Sequence, residues 1–72
     1  MRIWTYLRPF SYSGSDYTVE VFFTFSQTVS RVFQGSELLD EQSVHHMDGI
    51  QTFVHILPVA LGEELRVEAG YV

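Results

Sequence analysis

The chain contains no cysteine, no lysine and no asparagine, and only two prolines in 72 residues. Without cysteine there can be neither a disulfide nor a thiolate-held metal, which leaves histidine and carboxylate as the ligands any metal site would need. Cations are scarce: four arginines face nine acidic residues, for a net charge of −5. A nucleic-acid binder needs a basic footprint to displace phosphate counterions, so this balance argues against one. It argues equally against docking on an anionic membrane. Long apolar runs are missing as well. Arg8 and Pro9 interrupt the N-terminal apolar stretch before a secretory core could form, and His55 and Pro58 break the run Phe53 to Leu61. The expectation is a cytoplasmic protein with no nucleic-acid or membrane partner.

What is abundant is apolar and aromatic side chain. Hydrophobic residues make up 46% of the chain and aromatic residues 15%. One domain of this size buries only about 60% of the surface its unfolded chain exposes. Small domains offset such a marginal core with disulfides, a metal or a second subunit. With the first excluded, self-association is the expected remedy.

The apolar residues recur with period two, the signature of strands. In Tyr17–Phe25, Val19, Val21, Phe23 and Phe25 share one face, and Thr18, Glu20, Phe22 and Thr24 the other. This is the clearest strand in the chain. It would need cover on both faces, from a second layer or from a partner. In residues 64–71, Leu65, Val67, Ala69 and Tyr71 alternate with Glu64, Arg66 and Glu68. Residues 51–59 read as a strand buried on both faces, and Leu61–Glu64 as the turn that follows. Ser11–Asp16 reads as a Ser/Gly loop, and Pro9 as a strand end or an edge position. The middle admits three readings, one of them a helix extended back to Ser26 along Val29, Val32, Phe33 and Leu39, which Gly35 and the β-branched content weaken. Gly35 suits a hairpin turn between Val32-Phe33 and Leu38-Leu39. Alternatively, Ser36 as an N-cap and Gly49 as a closing residue frame a short helix over 36–47. The hairpin is preferred. The fold expected is a single mostly β domain over residues 1–72, an antiparallel sandwich or open barrel of five or six strands. The short helix would make it α+β.

Candidate site residues follow from the same periodicity. In a strand, Arg2, Trp4, Tyr6, Arg8, Phe10 and Tyr12 would line one face. The opposite face, Ile3 and Leu7, is the more apolar and is the one assigned to the core. An aromatic face flanked by arginines is typical of a protein interface. It also suits stacking on a sugar or another small ring. Phe22 joins this set as an apolar residue in need of cover. His45, His46, His55 and Asp48 are the candidate metal ligands, but their spacing matches no chelating motif. His55 sits among apolar neighbours and reads first as a hydrogen-bonded core histidine. The carboxylates lie in turn-like polar contexts, and no nucleophile motif or phosphate loop accompanies them. No cofactor and no catalysis are expected.

The function expected is a non-enzymatic protein-interaction module that associates with itself. Two alternatives stand beside it. One is a small-ligand or carbohydrate binder using the Trp4/Tyr6 face. The other is an acidic inhibitor or adaptor of the kind mobile elements carry, whose surface mimics nucleic acid.

Overall fold

A computed structural model of the protein describes residues 3–45 and 52–70, with side chains from Leu7 onward. Six antiparallel strands fill these segments: β1 (Ile3–Tyr12), β2 (Ser15–Phe23), β3 (Gln27–Gln34), β4 (Glu37–His45), β5 (Thr52–Ala60) and β6 (Glu63–Gly70). They form a four-stranded sheet in the order β1-β2-β3-β4 and a two-stranded sheet β5-β6. The all-β expectation is met, and the strand count falls at its upper bound. The helix alternative over 36–47 is overturned: Glu37–His45 is a strand, and residues 46 and 47 lie outside the described segments.

Local chemistry sets the reversals. Ser13 and Gly14 both have left-handed backbone, φ 51° and 80°, which a two-residue hairpin between right-twisted strands requires. The segment read as a Ser/Gly loop thus shrinks to this pair, since Tyr12 and Ser15 already face each other across the ladder. Gly35, at φ 62°, opens the equally tight β3–β4 turn, where Gln34 pairs with Glu37. Between β2 and β3 the Thr24 amide donates to the Gln27 carbonyl at 2.8 Å, and the Gln27 amide returns to Thr24 Oγ1 at 3.0 Å. Phe25, assigned by alternation to a strand face, instead crowns this turn and is 94% exposed. Pro9 does not end β1. The strand runs on to Tyr12, and its place at the sheet edge is where a missing donor is tolerated.

The β5-β6 hairpin packs over one face of the larger sheet. Val19, Val21 and Val32 from below meet Phe53, Leu57, Val67 and Ala69 from above. Burying each larger side chain of this set contributes about 1.5–3 kcal/mol. β5 alternates cleanly, with Phe53, His55 and Leu57 inward and Ile56 and Pro58 exposed. The reading of residues 51–59 as buried on both faces is therefore corrected: one face is solvent-facing. The two layers come together at β4 and β5, where Gln42 Nε2 donates to the Val54 carbonyl at 2.7 Å. At the opposite corner, β6 lies over β2.

The outer face of the large sheet is covered too. Phe22 is 1% exposed and Glu20 5%. Phe22, counted from the sequence among contact residues, thus belongs to the interior of the single chain. Glu20, Arg31 and Glu41 stand side by side across β2, β3 and β4. Arg31 pairs with Glu41 through Nε and lies 3.8 Å from Glu20, while its guanidinium carbon stands 4.9 Å above the Phe22 ring. One cation therefore neutralises a nearly buried carboxylate and caps an aromatic ring. Arg31→Ala is expected to lower stability by about 1–3 kcal/mol, because Glu20 would keep its burial and lose its counter-charge. Urea titration measures this, and Arg31→Lys should recover only part of the loss, since lysine lacks the planar fork.

No helix among the described residues is long and apolar enough to cross a membrane.

Candidate functional site

The register of β1 decides what the N-terminal aromatics can do. Trp4 pairs with Phe22 and Tyr6 with Val21, so two steps along β1 match a single step along β2. This bulge shifts the alternation by one residue. Trp4 stands opposite an outer-face residue and Tyr6 opposite an inner-face one, so the single six-residue face is not continuous. Downstream of the bulge, Arg8 pairs with Val19 and Phe10 with Tyr17, on the side towards β6. Leu7 is opposite Glu20 on the other side and 60% exposed. The assignment of the Ile3/Leu7 face to the core is corrected accordingly at Leu7: it is Phe10 that packs on the core, stacked on Tyr17 with ring centroids 5.3 Å apart.

Arg8, Phe10 and Tyr12 thereby come together with Leu65, Arg66, Val67 and Glu68 around a cleft of about 250 Å³ between β1 and β6. It is the seam at which the two layers fail to close. Val19 lies at its floor, and Tyr12, Arg8 and Arg66 at its exposed rim. Arg66 Nη2 donates to Glu68 Oε1 at 3.3 Å, an exposed pair that water screens strongly. Arg8 has no carboxylate partner among the described residues. Two of the three described arginines of an acidic chain thus border one cleft.

A second constellation lies inside the sandwich. His55 is fully buried, with Ser30 Oγ 2.8 Å from Nε2 and Asp40 Oδ2 2.6 Å from Nδ1. A carboxylate can only accept, so Nδ1 carries a proton, and in the neutral ring Nε2 accepts from the Ser30 hydroxyl. Gln42 Nε2 donates to the same carboxylate oxygen at 3.2 Å. The order of groups is that of a nucleophilic triad. Yet Ser30 and His55 both have zero exposure, so no substrate carbonyl reaches the hydroxyl. The arrangement acts as a satisfied polar network that ties β3, β4 and β5 together. The core-histidine reading of His55 agrees with this geometry.

The remaining candidates disperse. His45 is exposed at the end of β4, far along the strand from Asp40. Arg2, His46 and Asp48 lie outside the described residues, and Trp4 and Tyr6 are placed by backbone register alone. Among the described residues no three histidine or acidic side chains converge as metal ligands would. Ser30 is not singled out from the sequence, and Asp40 reads among the carboxylates as a solvated or capping charge, a reading the His55 contact corrects. Spacing does not signal them: an unbroken hairpin about Gly35 would set Val32 opposite Leu39 and Ser30 opposite Glu41, and only the register shift between Val32 and Phe33 puts Asp40 opposite Val32 and Gln42 opposite Ser30. No family model, curated protein or solved structure matches the chain.

Proposed function

We propose that the protein is a non-enzymatic interaction module that associates with itself through the open seam between β1 and β6. The observation that carries this reading is the cleft itself: Arg8, Phe10 and Tyr12, three residues singled out from the N-terminal pattern, border it together with Leu65–Glu68 of β6. Arginine and aromatic side chains around a half-covered apolar floor are what interfaces concentrate. Leu7, Leu38, Phe25 and Leu61 add exposed apolar surface elsewhere.

Light scattering and sedimentation test it. The expected mass is a multiple of the 8.3 kDa chain. Tyr12→Ala and Arg8→Ala should each weaken association by tenfold or more, about 1.4 kcal/mol, while leaving the dilute protein folded. An oligomer indifferent to both substitutions removes the seam from the interface.

The cleft also supports a second reading, a small-molecule site. Two arginines beside Phe10 and Tyr12 suit an anion with a planar ring. Saturable binding of an aromatic carboxylate by isothermal titration, abolished by Arg8→Ala, would favour that reading over self-association.

A further inference from the structure

The larger sheet ends in β1 and β4 and the smaller one consists of β5 and β6, so four strands carry a side with no ladder among the described residues. An open edge is a template for a strand of another copy, and folded β proteins blunt it. Both prolines of the chain stand on such edges. The two-residue Ser13-Gly14 turn makes Tyr12 and Ser15 a hydrogen-bonded pair. Alternation then leaves Pro9, opposite Thr18, with its backbone turned away from β2. On β5 the Val54 carbonyl accepts from Gln42 and so points away from β6. The ladder is unbroken from Val54 to Pro58, so Pro58 turns outward as well. Each proline removes a donor from the row that an incoming strand would use, and both are exposed.

The irregularities fall in the same strands. Each of the three register shifts in the described ladders adds one residue to an edge strand: Thr5 in β1, Leu39 in β4 and Val59 in β5. A bulge twists an edge out of alignment for pairing. The inner strands β2 and β3 instead match residue for residue from Tyr17–Gln34 to Phe23–Thr28. β6 has neither proline nor added residue, but it carries Glu63, Glu64, Arg66 and Glu68, four charges in eight residues. We infer that these features form one device that stops copies of this chain from joining strand to strand and confines contact between copies to side chains. Association through the side chains of Arg8, Phe10 and Tyr12 needs no open edge and is a separate property of the seam.

Restoring the missing donors tests the device. Pro9→Val, Pro58→Val and the double variant should keep the wild-type circular dichroism and urea midpoint, since both prolines are exposed. In sedimentation velocity at one matched concentration, each single variant should gain species of at least about twice the wild-type mass, and the double variant larger ones. Amide exchange on the assembled Pro9→Val variant should show the new N–H at position 9 protected. Adding Leu7→Lys should return that variant to the wild-type mass, because Leu7 is 60% exposed on the same outward row and a lysine there opposes pairing. Wild-type mass in all three variants overturns the device. Larger species that come with a lowered urea midpoint, a freely exchanging amide at position 9 or no rescue by Leu7→Lys trace the growth to unfolding and overturn it too. The wild-type mass is the baseline of every comparison, so failure of the seam contact and failure of the edge device are read apart.

Discussion

Phe22→Ala is expected to remove a large part of the protein's stability, about 3–5 kcal/mol. The ring is 1% exposed and lies under the Arg31 guanidinium. Truncating a buried phenylalanine costs about 3–5 kcal/mol through lost transfer energy and the cavity left behind. A domain of this length has roughly 4–11 kcal/mol of stability in total. The cation above adds to the loss, since its aromatic partner disappears. Urea denaturation monitored by circular dichroism measures the effect, and the comparison that matters is at concentrations where the protein is monomeric. There the loss should be undiminished. A monomeric variant as stable as the wild type, in a protein whose dimer had weakened, would return Phe22 to the contact surface.

His55→Ala should have a comparable effect, about 3–5 kcal/mol, by a different route. The substitution opens a cavity between the layers and also leaves the Ser30 hydroxyl without its partner. His55→Leu fills most of the space but still orphans that hydroxyl, so it should cost about 1–3 kcal/mol. Combining it with Ser30→Ala removes the orphan and should recover about 1 kcal/mol or more, an interaction that a double-mutant cycle reads directly. Asp40 is part-exposed, and Gln42 also reaches its carboxylate, so Asp40→Asn should be the mildest of the set. If His55→Leu alone were more stable than the wild type, the network would not be a stabilising feature of the fold.

These two positions show where the sequence could be read and where it could not. The alternation of Val19 and Val21 against Glu20 and Phe22 correctly announced a strand with two faces to cover. It did not say what covers the second, because Arg31 reaches Phe22 from another strand. His55 was legible as a core histidine from its apolar neighbours. Its partners Ser30 and Asp40 lie 25 and 15 residues away, and only strand pairing brings them to it.

The β1 face shows the same boundary in sharper form. Period two is a local property, and one extra residue between Trp4 and Tyr6 shifts the register of β1 against β2 by one position. No residue type in the sequence marks that insertion. Composition and alternation by themselves determined an acidic, mostly β domain and the apolar faces of β2 and β6, and favoured the hairpin at Gly35 over a helix that only the strand pairing of Glu37–His45 excludes. Tertiary structure alone decided that Arg8, Phe10 and Tyr12 meet β6 across an open seam, since which edge stays unpaired depends on how the two layers stack rather than on any one strand.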